Sequence, residues 1–271
     1  MIVTGNTGES IRCVIAMPSS GTWIIEREKI KLKNGILITG LPGIGLVGQV
    51  VGRYMVEQLK AKKIANLYSH HFPHQVFMTK KGGMRIIKNS LYVYKNRNVN
   101  VLILLGDIQA MSSVGQYEVS GLVLDFANKV GVTQVLTIGG YSTGEITDVR
   151  KVHAVASSAA FRNKLKKFNI LFGQTKGSIV GAAGLLPALA RLRGMDSACI
   201  MGETHGGFVD TKAAKEVVAV LSRYLGLKID LAQLNERALE SEKIMKKMEE
   251  EIQKNMISPY EPGKHGVSYI R

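Results

Sequence analysis

GILITGLPGIGLVG, residues 35–48, gives the clearest indication of the fold. Its first part, residues 35–39, is an apolar run rich in β-branched side chains, which indicates a strand. A turn rich in glycine follows at residues 40–45, and the apolar periodicity beyond it predicts an amphipathic helix over residues 46–59. A strand that passes through a tight glycine turn into a helix is typical of an α/β protein.

The rest of the first 229 residues repeats this alternation. Residues 101–105 (VLILL) are almost purely aliphatic, as in a parallel strand buried on both faces, and residues 135–138 repeat the pattern. Further strands are predicted over residues 12–17, 23–26, 64–68, 170–172 and 198–201, and helices over residues 115–130, 153–166, 179–193 and 211–225. Residues 75–79 and 90–94 are two more strand-like runs on either side of a predicted hairpin turn, residues 80–83. The alternation predicts a three-layer α/β/α sandwich around a mostly parallel sheet.

A different region follows residue 229. Asp230 predicts a helix N-terminus, and apolar or small side chains then recur at alternating spacings of three and four residues as far as Ile252. The apolar positions of this heptad stripe are the candidates for self-association: Leu231, Leu234, Met245, Met248 and Ile252. The chain therefore divides into a core domain (residues 1–229), a projecting heptad helix (residues 230–255) and a flexible tail (residues 256–271). The alternative for the helix is that it docks on its own core domain.

The tail, residues 256–271, contains prolines and glycines that exclude a helix and predict a flexible segment. It nonetheless carries aromatic and apolar side chains close to its end. Such side chains at the tip of a flexible arm are candidates for docking into a partner's pocket, and here they are Tyr260, Val267, Tyr269 and Ile270. The alternative is a tail without a partner.

The chain carries a formal net charge of +15, and basic and acidic residues nearly balance after residue 229, so the excess lies in the core domain. A basic surface suits an acidic partner, such as a nucleic acid, a membrane surface or an acidic protein face, or is simply solvated. The basic residues form short clusters outside any recognisable nucleic-acid module, so nucleic-acid binding is not favoured. Because neither a signal-peptide pattern nor a long apolar run is present, we expect a cytoplasmic protein without membrane contact.

The glycine-rich turn contains G-x-G-x-x-G at Gly43, Gly45 and Gly48, as in dinucleotide-binding proteins. The end of the next strand offers no acidic side chain for a ribose hydroxyl, and no Walker A lysine follows the turn. Three interpretations stay open: a dinucleotide, an anion at the helix N-terminus, or glycines that permit close helix–sheet packing. Gly139 and Gly140 follow another predicted strand, so the glycine loops are expected to line one rim of the sheet, where a ligand pocket or a protein-binding surface can form.

Glu203 and His205 follow the predicted strand over residues 198–201, where α/β enzymes place their chemistry. A general acid–base pair is conceivable there. No nucleophile motif accompanies the two residues. They are therefore only weak catalytic candidates, and a protein without enzymatic activity is favoured.

Three histidines lie within residues 70–74, but Pro73 prevents a helix that would align them, and no other metal ligand is nearby in the sequence. Cys13 and Cys199 have no metal or redox spacing and are interpreted as small core residues. No metal and no cofactor are therefore predicted.

Five segments stand out in the core domain: GLPGIGLVG at residues 40–48, LGD at residues 105–107, TIGGY at residues 137–141, GAAGLL at residues 181–186 and ETHG at residues 203–206. In these segments and in their order, the sequence resembles the proteasome assembly chaperone superfamily, particularly its archaeal members. Each segment alone is weakly specific, but the ordered set covers most of the core domain.

The resemblance implies a fold related to nucleoside-phosphorylase-like domains without their activity, and a homo-oligomeric core with projecting C-terminal helices. It also implies binding to the α subunits of the core proteasome through the C-terminal tail. Tails of the superfamily end in a hydrophobic residue, a tyrosine and any residue, whereas this sequence ends Tyr269-Ile270-Arg271, with its tyrosine one position early. The leading hypothesis is a proteasome-binding chaperone or activator. The alternative is a small-molecule-binding protein or enzyme that uses the glycine-rich rim.

Overall fold

The computed structural model describes residues 21–236, apart from residues 146, 148 and 174–176. The strands are β1 (Thr22–Glu26), β2 (Gly35–Gly40), β3 (Lys62–Ser69), β4 (Val76–Met78), β5 (Met84–Ile86), β6 (Asn89–Lys95), β7 (Asn100–Gly106), β8 (Val132–Ser142), β9 (Val152–Ala156) and β10 (Asp196–Thr204). The helices are α1 (Val47–Gln58), α2 (Ser113–Val130), α3 (Ala159–Lys166), α4 (Ala182–Leu192) and α5 (Thr211–Leu225). None of the helices in this described part of the chain is long and apolar enough to cross a bilayer.

Eight strands form one sheet in the order β1-β3-β6-β7-β2-β8-β10-β9, and β4 and β5 form a separate two-stranded hairpin. At the centre of the sheet, β7, β2, β8 and β10 are parallel neighbours. Antiparallel pairs extend the sheet to β1 on one side and to β9 on the other. Because β3 points the same way as the four central strands, most strands share one direction, and the predicted mostly parallel sheet is confirmed.

Helices cover both faces of this sheet. α2 and α4 pack on one face, where they bury Leu37 of β2, and α1, α3 and α5 pack on the other, where they bury Ile38. Successive residues of a strand point to opposite faces, so a strand between two helix layers must be apolar at every position. All residues of β2 are buried, which explains why its sequence is apolar apart from Thr39. The three-layer α/β/α sandwich is confirmed.

Capping residues fix the ends of α5, which spans the predicted residues 211–225. The Asp210 carboxylate accepts a hydrogen bond of 2.9 Å from the backbone N–H of Ala213 at the start of the helix. Gly226 ends the helix with a φ of 65°, a left-handed conformation that glycine adopts without strain.

Three local predictions are wrong. Residues 153–156, predicted as the start of a helix, belong instead to the strand β9 against β10, and α3 begins only after Ser158, whose hydroxyl caps it. Residues 170–172, predicted as a strand, make only an isolated parallel bridge, between Leu171 and His153. The predicted hairpin turn at residues 80–83 is confirmed, but its second strand is β5. Residues 90–94 belong instead to β6 in the main sheet, where they pair with β3 and β7.

The predicted projecting helix starts against the core domain. The Asp230 side chain accepts a hydrogen bond from the backbone N–H of Ala232, and the Asp230 carbonyl accepts one from the Tyr54 hydroxyl. Leu231 packs against the apolar core around α1 and α5, and Leu234 is fully buried in it. These two heptad positions therefore contact their own chain, as the docking alternative expected. The remaining heptad positions, Met245, Met248 and Ile252, and the tail positions Tyr269, Ile270 and Arg271 lie outside the described residues. The predicted strand over residues 12–17 also lies outside them.

Candidate functional site

The carboxyl ends of the parallel strands meet at one edge of the sheet, which we call the carboxyl edge. It is formed by the loops that follow β2, β7, β8 and β10. In open α/β sheets, ligands bind outside such strand ends, where adjacent strands send their helices to opposite faces. Here β2 leads to α1 on one face and its neighbour β7 leads to α2 on the other. The carboxyl edge is therefore the candidate functional site.

Close contacts with neighbouring strands shape the glycine-rich turn. A Cβ atom at Gly48 would lie 2.6 Å from the carbonyl oxygen of Ile138, so only glycine fits there. Gly45 has a φ of 61°, and a Cβ atom at this position would lie 2.7 Å from the Thr204 hydroxyl oxygen. By contrast, Gly43 is extended, and a Cβ atom there would meet nothing closer than 3.9 Å. Close packing against the sheet therefore accounts for Gly48 and Gly45. This agrees with the interpretation of the motif as glycines that permit close helix–sheet packing.

A glutamine that the sequence analysis did not single out ties the glycine-rich turn to α4. The Gln109 amide nitrogen donates to the carbonyl of Pro42 at 2.5 Å, and its amide oxygen accepts from the backbone N–H of Ala182 at 2.9 Å. The first N–H group of α4 is therefore bound by the protein itself. No motif marks a single glutamine, because its two partners are far away in the sequence.

A cavity of about 930 Å³ lies at the carboxyl edge on the face covered by α2 and α4. The rim glycines Gly43, Gly139 and Gly140 line it, so the structure brings these predicted residues together. Among the described lining residues the side chains are apolar or neutral, with no acidic, basic or histidine side chain; they include Thr39, Leu41, Gln109, Tyr141, Ala183 and Met201. A cavity of this size and lining suits an uncharged, largely apolar molecule rather than the phosphates of a dinucleotide.

The structure brings Glu203 to a histidine of β9 and not to His205. The Glu203 carboxylate hydrogen-bonds the ring Nε2 of His153 at 2.6 Å and accepts the backbone N–H of Lys151 at 3.1 Å. Burial acts to raise the pKa of the Glu203 carboxyl, but the bonds from His153 and Lys151 outweigh it and hold the pKa below its ordinary value. The ring of His205 stacks instead on Phe208, with centroids 5.2 Å apart.

An ion pair at the edge is almost completely buried. Arg150 Nε donates to the Asp210 carboxylate at 3.1 Å, and their side chains are only 2% and 3% exposed. The guanidinium also donates to the carbonyl and the hydroxyl of Thr147. The backbone N–H of Asp210 donates to the Gly45 carbonyl at 2.9 Å. The pair therefore holds the β8–β9 loop, the start of α5 and the glycine-rich turn together.

The three histidines near Pro73 have different surroundings. The ring of His70 packs against Trp23, the Nε2 of His71 hydrogen-bonds Glu118 at 2.9 Å, and His74 is exposed. Within residues 21–236, gaps excepted, no group of three His, Cys, Asp or Glu side chains is placed to hold a metal ion.

The fold and the edge define a three-layer α/β protein with a glycine-rich cavity at the ends of its parallel strands, whose described lining carries no charged side chain. The PAC2 family matches residues 37–249, and the chain belongs to this family. Uncharacterized protein MJ1210 of Methanocaldococcus jannaschii is 34% identical over 226 residues, which cover 82% of this chain and 87% of that protein.

Two solved structures share the fold. PbaB of Pyrococcus furiosus, an archaeal proteasome activator, is 38% identical with a TM-score of 0.82, over 85% of this chain and 99% of PbaB. PbaA of the same organism, an archaeal homolog of proteasome-assembly chaperone, is 25% identical with a TM-score of 0.71, over 88% of this chain and 95% of PbaA. These matches and the family confirm the resemblance to the proteasome assembly chaperone superfamily.

Proposed function

We propose that this chain is a homo-oligomeric, non-enzymatic protein that binds the α subunits of the core proteasome and acts as an activator or assembly chaperone. One observation carries the proposal: 85% of the chain matches 99% of an archaeal proteasome activator, with 38% identity and a TM-score of 0.82. A match of that length includes the whole core domain of that protein, so a shared class of partner is the simplest inference.

The polar groups of the carboxyl edge support a binding role over a catalytic one. The two carboxylates at the end of β10 and the start of α5, Glu203 and Asp210, are each engaged with a basic side chain of the same chain. Internal pairs of this kind fix loops in place. A general base needs a proton-accepting atom within reach of a substrate. The carboxylate oxygens of Glu203 and Asp210 already take part in hydrogen bonds within the chain.

We assign proteasome docking to Tyr269, Ile270 and Arg271. A short apolar and aromatic tail binds weakly by itself, but several copies on one oligomer raise the effective concentration of the second and later tails. The predicted heptad helix, residues 230–255, would carry the tail away from the core domain. The tyrosine lies one position earlier than in the tails of the superfamily, so docking depends on whether the pocket accepts this shift.

The decisive experiment mixes the purified protein with archaeal core proteasome particles and follows the complex by size-exclusion chromatography with light scattering. We expect co-elution of the wild-type protein and loss of co-elution after deletion of residues 269–271. Tyr260→Ala, which alters another tyrosine of the tail, is the matched control and should still co-elute. Co-elution that persists after the deletion would show that the tail is not the docking element. A wild-type protein that does not co-elute with the particles would refute proteasome binding itself.

The uncharged cavity favours a second candidate, a small-molecule-binding protein. Thermal unfolding in the presence of nucleotides, nucleosides and uncharged aromatic compounds tests it. Stabilisation by an uncharged compound that disappears in Ala183→Phe, a substitution that narrows the cavity, would support this function. An equal shift in the variant would place the compound elsewhere, and no shift with any of the compounds would count against the candidate.

A further inference from the structure

The amino ends of the parallel strands meet at the edge of the sheet opposite the carboxyl edge, and we call it the amino edge. A cavity of about 640 Å³ lies there, between the loop before β2, the β6–β7 turn, the end of α3 and the end of α5. Cavities of about 300–1,000 Å³ are typical of small-molecule sites. The amino edge therefore offers a concave surface that can enclose a ligand, separate from the cavity at the carboxyl edge.

Among the described residues, the charged side chains that line this cavity are all basic. They are Lys33, Arg97, Lys164 and Lys167, and all four are exposed. Within the described part of the chain, none of the four forms an ion pair with a carboxylate. Positive charges around a concave surface reinforce one another's field and raise the local concentration of anions. The cavity therefore attracts a negatively charged ligand.

A helix end accounts for only two of these charges. Lys164 lies in the last turn of α3 and Lys167 is its C-cap residue, where a positive charge interacts favourably with the helix dipole. Lys33 and Arg97 lie instead in loops between strands. An anion bound by all four side chains explains why the two loop residues lie beside the two lysines of α3.

Hydrogen bonds hold the two loops in place. The side-chain amide of Asn100 donates to the carbonyl of Lys33 at 2.9 Å, which ties the start of β7 to the loop before β2. In the β6–β7 turn, the Asn96 side-chain oxygen accepts the backbone N–H groups of Asn98 and Val99 at 2.8 and 2.7 Å. The backbones of both loops are therefore fixed before a ligand binds, which lowers the entropy lost on binding.

Two aromatic rings form one wall of the cavity. The rings of Phe168 and Tyr224 meet edge to face with centroids 5.3 Å apart, and the Tyr224 hydroxyl donates to the Gln134 side chain at 2.7 Å. Burial, with a smaller contribution from the charge of Asp196, raises the pKa of the Tyr224 phenol to about 12. Asp196 does not line the cavity and forms no ion pair with its cations. The wall is therefore uncharged at neutral pH and can contact an apolar group of a ligand.

We propose that the amino edge binds a small anion that carries several phosphate groups. Four cations around one cavity, without a carboxylate in its described lining, suit a ligand with several negative charges close together. The planar guanidinium of Arg97 can bind two phosphate oxygens at once, and lysines bind phosphate as point charges. A nucleic-acid strand needs a basic surface that extends along its backbone, whereas these charges surround one cavity. Free polyphosphate and the triphosphate of a nucleotide share the chemistry of this ligand.

Isothermal titration calorimetry of the full-length protein with inorganic tripolyphosphate tests the proposal. We expect saturable binding of one tripolyphosphate per chain, which weakens as the salt concentration rises. Lys33→Gln combined with Arg97→Gln removes two of the four charges. This double variant should bind about tenfold more weakly or worse, because hydrogen bonds between ionised groups are the strong ones.

The matched control is Lys80→Gln combined with Lys81→Gln. It removes the same net charge from two exposed lysines in the β4–β5 turn, which is attached at the carboxyl edge. The control should bind tripolyphosphate like the wild type. Because all four substituted side chains are exposed, both variants should keep the wild-type far-UV circular dichroism.

Several outcomes would overturn the proposal. Absence of binding, or binding that is unchanged in the Lys33 and Arg97 variant, shows that the amino edge is not the site. Equal weakening in the control shows a general effect of net charge. Citrate that binds as tightly as tripolyphosphate shows that phosphate is not recognised. Binding that appears only when Glu249, Glu250 and Glu251 are replaced by Gln shows that an acidic run of the same chain occupies the site.

Two further titrations identify the source of the phosphates. ATP that binds as tightly as tripolyphosphate supports recognition of the phosphates alone, and tighter binding of ATP supports a nucleotide whose base contacts Phe168 and Tyr224. A single-stranded RNA that binds more tightly than both, and loses this affinity in the Lys33 and Arg97 variant, overturns a small ligand in favour of nucleic acid.

This inference does not depend on the proposed function. The residues of the amino edge lie at the opposite end of the sheet from the carboxyl edge, and none of them belongs to the tail, residues 256–271. The Lys33 and Arg97 variant should therefore co-elute with proteasome particles as the wild type does. Loss of anion binding and loss of proteasome binding are thus measured separately, so the failure of one conclusion leaves the other standing.

Discussion

Removal of Asp210 from its buried ion pair is the most informative perturbation of the carboxyl edge. Its carboxylate binds Arg150, and it also caps α5 through the backbone N–H of Ala213. Asp210→Ala removes both interactions and leaves the Arg150 guanidinium buried at 2% exposure without its counter-charge. Asp210→Asn removes the charge and keeps a side chain that caps helices well.

The expected magnitudes follow from these contacts. Loss of one partner from a buried ion pair costs about 3–5 kcal/mol, because the remaining charge stays desolvated. Loss of the helix cap adds about 1 kcal/mol. We therefore expect Asp210→Ala to lower the free energy of unfolding by about 4–6 kcal/mol and Asp210→Asn by about 3–5 kcal/mol. Replacement of both charges in Arg150→Met with Asp210→Asn should recover most of the loss, to within about 2 kcal/mol of the wild type.

Urea unfolding measures these differences, with the fluorescence of Trp23, the single tryptophan, as the signal. With a slope of about 3 kcal/mol per molar for a protein of this size, Asp210→Ala should lower the midpoint by about 1.3–2 M. All variants are compared at one protein concentration, because association adds to the apparent stability. A loss below about 1 kcal/mol for Asp210→Asn, or a double variant no more stable than that single variant, would refute a coupled buried pair.

Two further predictions concern single side chains. Gly48→Ala should lower the melting temperature clearly, because its Cβ would lie 2.6 Å from the Ile138 carbonyl oxygen. Gly43→Ala should melt like the wild type, because its Cβ would lie 3.9 Å from the nearest atom, an ordinary van der Waals contact. Equal melting temperatures of the two variants would show that the turn relaxes freely. Burial raises the pKa of the Cys199 thiol from 9.0 to about 11, so the folded state holds this proton where the unfolded state has lost it. The free energy of unfolding should therefore fall as pH rises from 9.0 towards about 11, and fall less steeply in Cys199→Ala; the same slope in both proteins would contradict the assignment.

Side chains close together in the sequence determined most of the elements. A strand buried between two helix layers must be apolar at every position, so residues 35–39 and 101–105 identified the central strands. Helix α5 begins and ends at the predicted residues, capped by Asp210 and Gly226, because capping involves only neighbours along the chain. The order of these elements was sufficient to predict the layered fold.

Where a local sequence pattern is compatible with two secondary structures, contacts with residues distant in the sequence determine which one forms. Residues 152–156 suit a helix or a strand, and the open edge of β10 selects the strand because its backbone groups need partners. Residues 84–86 are too short to stand out as a strand, and only the pairing with β4 defines them. The spacing of Leu234 predicted an apolar position available for self-association, but its side chain is buried in the apolar core of its own chain.

At the carboxyl edge, too, some features follow from local sequence and others depend on contacts between distant residues. The residue pattern alone predicts that glycine-rich loops follow the parallel strands and lie together, since such strands share one direction and their ends share one edge. Which polar groups meet there depends on the folded chain: Glu203 with His153, Arg150 with Asp210 and Gln109 with Ala182, pairs separated by 50, 60 and 73 positions in the chain. Contacts over such distances leave no periodicity in the sequence. They form because burial removes water as a partner, so each charge or amide must find one within the folded protein.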